Sequence, residues 1–293
     1  MLDGDPDRFR HIDVTCPREL PHETDDLGVF YIEAHFYPLW QKSTIKGASE
    51  ATGPRTLKTW SMSIEWQGID RMRANPLFGI AGRTSLRVRR QAYEWLREKV
   101  GGFAGKVVLD HGATPDTTSA DSNCHIPWLL ADGADVYATS AENIDHLAAI
   151  FPGLHVVAWP PKDVQPEPDV VISSSVIAHV GDRGAQLEFV AGLLKLGKRV
   201  FLTTPNRRHW LEFHTKLPLL HWLSNERYHA TLRGVGLGFW SHLHLLNHDD
   251  VQSLFDEAAA RDGIALQTSW YEPRFLGAVS NLVILSERNA RSS

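Results

Sequence analysis

The sequence predicts an α/β protein in which a doubly wound, mostly parallel seven-stranded sheet follows an N-terminal, mainly helical segment. Three observations carry this reading. After Gly105, short Val-rich runs alternate with stretches of helical periodicity. The runs are apolar throughout rather than at every second position, as strands covered on both faces must be. The last two runs are joined by a short connection with no helix, which predicts a closing antiparallel pair.

Residues 1–24 are polar and Pro-rich and are expected as an extended arm. Aromatics crowd 28–40, with Phe30, Tyr31, Phe36, Tyr37 and Trp40, and return from Trp60 to Trp66 after a polar, Gly-containing loop over 43–56. An amphipathic helix is predicted over 84–100, stopped by Gly101-Gly102. The predicted strands are Lys106–Asp110, Asp135–Thr139, Leu154–Ala158, Asp169–Ser173, Lys198–Thr203, Ile264–Trp270 and Asn281–Ser286. Helices are predicted over 121–131, 141–151, 184–196 and 248–262. The turn signal Pro152-Gly153 ends the second of these, and Gly263 ends the last. Residues 205–247 interrupt the rhythm. The chain thus divides into an arm and aromatic-rich lid over 1–100 and a sheet domain over 101–293 that carries 205–247 as an insert.

Composition narrows the function classes. The chain has 293 residues, 43% hydrophobic and 22% charged, as ordinary globular proteins do. A net charge of -5 argues against nucleic acid as the partner, because phosphate binding needs a basic surface. The cluster Arg83, Arg87, Arg89 and Arg90 reads as a solvated helix face. Cys16 and Cys124 form no CxxC pair, so a reducing compartment fits. No apolar leader and no run of about 18 apolar residues is present, so no membrane partner is predicted and a cytoplasmic location is expected.

Ligands of such sheets bind at the carboxyl ends of the strands, near the switch in strand order. The first such loop reads Asp110-His111-Gly112-Ala113-Thr114-Pro115-Asp116. It holds one glycine and two acids. A pyrophosphate would want a glycine-rich cradle and would be repelled by the acids. A ligand with a cationic amino group suits them. A plain strand-to-helix turn with an Asp cap is the bland alternative.

Three segments in order, KVVLDHGATPDTTSADSN, DVVISSSVIAHVGDR and KRVFLTTPNRRHWLEFHTKLPLLHWL, resemble the first, fourth and fifth strand motifs of class I S-adenosylmethionine-dependent methyltransferases. The match is to a variant subgroup with G-x-T-P-D in place of the glycine-rich loop, and it covers about residues 105–286. The resemblance implies a Rossmann-like methyltransferase fold and S-adenosylmethionine as cofactor. It implies methyl transfer to a small-molecule acceptor, in specialised metabolism. It places Asp110, His111, Gly112, Ala113, Thr114 and Asp116 beside the methionine part of the cofactor. Asn123, Ser140, Ala141, Glu142, Trp159 and Ser174 complete the expected cofactor set. Two positions depart from the family pattern. Ser140 stands where an acid usually binds the ribose, with Glu142 two residues on. Ala178 precedes His179 where Glu-His-Val is common, which argues against copying a metal site from relatives.

His179, His214 and His209 are the candidate general bases, since imidazole titrates near neutral pH. His209, His214, His221, His229, His242 and His244 crowd the insert, and His248 follows it. His242-x-His244 with His248 has metal-binding spacing, but no carboxylate or cysteine completes the set, so no metal is assigned. Tyr31, Tyr37, Trp60 and Trp66 are expected to close the acceptor site as a lid, by stacking and cation–π attraction. Packing onto the core or onto a second subunit is the competing reading, and it is compatible with a homodimer. Two functional alternatives stay open: cyclisation or elimination that consumes S-adenosylmethionine itself, and a non-catalytic binding protein on the same scaffold.

Overall fold

The computed structural model describes residues 76–117, 121–161 and 164–289. Helix α1, Pro76–Val100, opens them. Pro76 at its first position is preset for a helix and needs no donor there, so the helix begins before the predicted residue 84. Its buried positions are Val88, Ala92, Tyr93, Leu96 and Val100, one stripe at helical spacing. Arg97 pairs with Asp132 at 2.9 Å and Arg90 with Glu94, on the exposed side. Exposed pairs contribute about 0–1 kcal/mol each. Fully burying a side chain such as Leu96 contributes about 1.5–3 kcal/mol, so the apolar stripe holds α1 in place.

The seven strands are β1 Val107–His111, β2 Asp135–Thr139, β3 Leu154–Val156, β4 Val170–Ser174, β5 Arg199–Pro205, β6 Leu266–Tyr271 and, after a small hairpin, β9 Asn281–Arg288. Their order is β3-β2-β1-β4-β5-β9-β6. Strands β1 to β5 are parallel, and β9 runs antiparallel to both β5 and β6. The predicted closing pair is therefore present. The hairpin between its strands, β7 Arg274–Phe275 with β8 Ala278–Val279, was not legible in the sequence. It turns on Leu276 and Gly277, both at positive φ.

Alternate residues of each central strand enter opposite layers. Val108, Val170, Ile172, Phe201, Val283 and Leu285 pack under α1. Leu109, Val171, Val200, Leu202 and Ile284 pack on the other face, against α4 Arg183–Leu196 and α6 His248–Asp262. Two covered faces explain the unbroken apolar runs. The first layer also holds α2 His125–Ala131 and α3 Leu147–Ile150.

Both of these helices start later than periodicity predicts, at 125 rather than 121 and at 147 rather than 141. Asn123 takes φ 53, off the helical path. After β2, Ser140 Oγ accepts from Glu142 N at 3.2 Å and Asn143 Oδ1 accepts from Asp145 N at 3.1 Å. These local bonds offer the backbone an alternative to the helix.

Helix α6 begins as predicted. Asn247 Oδ1 accepts from the Asp249 and Asp250 amides, and Asp250 accepts from the Asn247 amide, forming a capping box. Asn247→Ala is expected to cost about 1 kcal/mol and to lower Tm by roughly 2–4 °C, read by thermal unfolding.

The 205–247 insert carries α5 Asn225–Gly234 and a small core of its own, in which Tyr228, Leu232, Leu243 and Leu245 enclose Ala178. Among the described residues no helix is long and apolar enough to cross a membrane.

Candidate functional site

The loop after β1 is held by side chains in place of glycines. Gly112 N donates to Thr139 O at 2.9 Å, tying it to the end of β2. Asn123 clamps the rest: its Oδ1 accepts from Thr114 N at 2.9 Å, and its Nδ2 donates to the carbonyls of Thr114 at 2.8 Å and Asp116 at 3.3 Å. Ser122 Oγ donates to Asp116 Oδ2 at 2.9 Å, and His146 Nε2 bonds Pro115 O at 3.1 Å. The Asn123 amide is thus engaged by the loop backbone and shapes the loop. Ala113 is buried in the first core layer, which leaves only its backbone for a ligand.

Gly112 is the one loop glycine and has φ +103. A Cβ there would lie 2.4 Å from Val176 Cγ2. The segment after β4 thus sits directly on the loop after β1.

Asp110 is buried, and burial pushes its carboxyl up to about 7, with Arg89 pulling the other way. A carboxyl held near neutrality at a strand end is ready to take a cation. Around it, burial pushes the Cys124 thiol up to about 11 and His125 down to about 3, so both are uncharged at neutral pH. His111 turns to the other face. Its ring packs on Phe189 and, at 5.1 Å between centroids, on Trp159, and burial lowers it to about 4. Trp159 is 37% exposed, open to a flat ligand on its free side. Ser140 lies at the end of β2, half-buried, with Ala141 and Glu142 exposed beside it. Ser174 Oγ bonds Thr203 Oγ1 at 3.1 Å, between the ends of β4 and β5.

A cavity of about 380 Å³ lies next to the loop and shares Asp116 and Asn123 with it, but its other walls are Leu86, Cys124, Trp128 and Phe151. None of Gly112, Ser140 or Trp159 lines it, so it is separate from the strand-end site.

The three candidate bases part company. His209 is fully buried, with Nδ1 bonded at Leu211 and Nε2 to Phe275 O at 3.1 Å. It is a structural link between insert and hairpin, and its assignment as a base is corrected. His179 lies in the turn Ile177–His179 after β4, with Nδ1 at 3.2 Å from His242 Nε2. Burial, then the nearby His214 and His242, bring it down to about 3. His179 thus packs within a histidine cluster, its Nδ1 facing the His242 ring and its edge the His214 ring. His214 keeps a base's surroundings. Its Nδ1 is 2.7 Å from Glu212 Oε1, and its ring packs edge-on to His179 at 5.2 Å and against Trp240 at 5.3 Å.

Glu212 was missed in the sequence, where only its place two residues before His214 marks it. Its side chain is 1% exposed. Burial opposes its charge, but the His214 ring, the His214 amide and the Thr215 hydroxyl outweigh it and hold the carboxyl at about 2.

The departure at Ala178 has a structural cause. Ala178 is fully buried in the insert's core and its carbonyl accepts from His244 N at 2.9 Å, so a glutamate there would be an unpaired buried charge. The metal spacing also dissolves. His229 and His244 pack together, while His248 stacks on Trp270 at 4.0 Å. Among the described residues no group of three His, Cys, Asp or Glu can hold a metal ion. Arg208 pairs with Asp249 at 2.9 Å. Tyr31, Tyr37, Trp60 and Trp66 lie outside the described residues.

Five parallel strands in the order β3-β2-β1-β4-β5, with antiparallel β9 between β5 and β6, define a Rossmann-like methyltransferase fold. Its carboxyl edge is where His111, Thr139 and Ser174 end their strands, with Gly112 and Ser140 just beyond.

No protein-family model and no curated protein matches the chain. Solved structures similar to it include the magnesium protoporphyrin IX methyltransferase of Synechocystis PCC 6803 with bound S-adenosylhomocysteine, at 17% identity, covering 76% of this chain and 94% of that one, with a TM-score of 0.45. The 1,6-didemethyltoxoflavin-N1-methyltransferase of Burkholderia thailandensis is 15% identical, with coverage of 83% and 94% and a TM-score of 0.47. The N-methyltransferase NodS of Bradyrhizobium japonicum is 10% identical, with coverage of 69% and 87% and a TM-score of 0.42.

Proposed function

We propose that this protein transfers a methyl group from S-adenosylmethionine to a small-molecule acceptor. The observation that carries the reading is Asp110, a buried carboxyl near neutrality at the switch point of a methyltransferase sheet. The loop it begins offers no glycine-rich phosphate cradle. It suits the ammonium of a methionine moiety, a cation added to the distant pull of Arg89 on the carboxyl.

In this reading the loop backbone from Gly112 to Asp116 borders the methionine part. Ser140 and Glu142 face the ribose, and Trp159 stacks on adenine. Bound there, the cofactor supplies an electrophilic methyl on a sulfonium. The protein's part is to align the acceptor with that methyl and to keep water out.

Calorimetric titration of the full chain with S-adenosylmethionine, followed by chromatography of the mixture, tests the proposal. Saturable binding with the cofactor left intact until an acceptor is added is the expected result. No binding would overturn the assignment. Release of methylthioadenosine would replace it with a reaction in which the cofactor is itself consumed.

A further inference from the structure

We infer that Glu212 and His214 form a carboxylate–imidazole dyad that takes the proton of a hydroxyl-bearing acceptor, making the reaction an O-methylation. The inference rests on the methyl-transfer reading above and deepens it. Glu212 is the positioning residue and His214 the base.

The geometry assigns these roles. Glu212 Oε1 lies 2.7 Å from His214 Nδ1 and also accepts the His214 backbone amide at 2.8 Å, while Oε2 accepts the Thr215 amide at 2.5 Å. A carboxylate accepts only, so Nδ1 carries the ring proton. Nε2 is left with its lone pair, and it makes no hydrogen bond among the described residues. This is the arrangement that makes an imidazole a directed base. The backbone around the dyad is braced. Glu212 N donates to Leu217 O at 3.1 Å, Lys216 N donates to Glu212 O at 2.9 Å, and Leu211 bridges Pro218.

The dyad also stands in the right place. Val176 rests on Gly112 in the loop after β1, and His179 N donates to Val176 O at 2.9 Å. The His179 ring meets the His214 ring. This chain of contacts runs from the cofactor loop to the dyad along the carboxyl ends of β1, β4 and β5.

Acceptor chemistry then selects the substrate class. A carboxylate acceptor is already anionic and gains nothing from a base backed by Glu212. A neutral amine attacks through its own lone pair. A hydroxyl becomes nucleophilic as its proton leaves. In the step, the acceptor oxygen bonds the methyl carbon, the carbon–sulfur bond breaks with its electron pair going to sulfur, and the hydroxyl proton goes to His214 Nε2. The titratable groups acting on His214 are Glu212, His179 and His242, while Lys216 and Tyr228 act on Glu212.

The test uses the full chain with isotope-labelled histidine. NMR of the free protein is expected to show His214 in the Nδ1–H form with a strongly deshielded shared proton. Glu212→Gln should lose that signal and Glu212→Asp should keep it. The Nε2–H form, or a signal indifferent to Glu212→Gln, would overturn the dyad. Should Glu212→Gln fail to fold, the wild-type tautomer and its retention in Glu212→Asp decide the assignment. Nitrophenol is then titrated against the protein with S-adenosylhomocysteine present. A phenolate absorption band is expected on binding, weaker by on the order of tenfold or more in His214→Asn. A wild-type protein that shows no band overturns the hydroxyl assignment. Calorimetry with S-adenosylmethionine is run on the same samples. If the cofactor does not bind, the methyl-transfer reading fails, and the tautomer result still decides the dyad by itself.

Discussion

Gly112→Ala is expected to lose about 2–5 kcal/mol of stability, the largest effect of any single loop change. Two causes contribute. Gly112 has φ +103, where a side chain costs about 1–2 kcal/mol. Its new Cβ would also lie 2.4 Å from Val176 Cγ2, and such an overlap in a packed site costs about 1–3 kcal/mol. A double-mutant cycle separates them. Adding Val176→Ala should restore the overlap part and leave the backbone part. Urea unfolding reads both. If Val176→Ala restores nothing, the backbone angle alone dictates glycine here. If Gly112→Ala is harmless, the two loops do not meet as described. Cofactor affinity should fall with stability, since Gly112 joins the site's two halves.

The second large effect concerns Asp110, and its sign follows from linkage. Its folded carboxyl sits at about 7, above the ordinary value of 3.8. Between those values the native state holds a proton that the unfolded chain has released. Stability is therefore greatest below about pH 4 as far as this group is concerned, and it declines as pH rises through about 7. The decline is at most about 4 kcal/mol. Asp110→Asn should remove that slope, and at pH 8 the variant should be as stable as the wild type or more so.

Cofactor binding should move the other way. An ammonium beside Asp110 needs the carboxylate, so wild-type affinity should weaken as pH falls below about 7, by up to about tenfold per pH unit. Asp110→Asn should weaken S-adenosylmethionine binding on the order of 10²-fold at pH 8, as losing one partner of a buried charge pair does. Calorimetry across pH reads this together with the proton released on binding. An Asn variant that binds as well as wild type would make Asp110 a structural group and remove the main support for the proposed function. Arg89, Cys124 and His125 surround the carboxyl, and only Arg89 brings a charge at neutral pH.

How much of this was legible varies with the range of the interaction responsible. Strand identity came from runs such as Val107 to Leu109 and Val200 to Leu202, because both faces of a central strand meet apolar layers. Helix α6 was readable to its first and last residues, since Asn247 and Gly263 cap it through neighbours in sequence. The loop Asp110 to Asp116 stood out because one glycine and two acids constrain the ligand locally.

Contacts between segments far apart in the chain stayed hidden. Asn123 read as a cofactor contact, and the structure adds that it clamps Thr114 and Asp116 across the loop. His179 and His209 read as bases because imidazole chemistry is intrinsic to the residue. What holds each ring, the His242 side chain for His179 and the Leu211 and Phe275 carbonyls for His209, depends on the packed insert. Glu212 carried no signal beyond its spacing from His214.

By itself, then, the sequence determined the sheet, its layers and the ligand edge, because these follow from periodicity and from residues adjacent in the chain. Only the tertiary structure decided which histidine has a carboxylate behind it, why Ala178 cannot be an acid and why residue 112 must be glycine. Each of those turns on desolvation or steric contact between segments that meet only when the chain is folded.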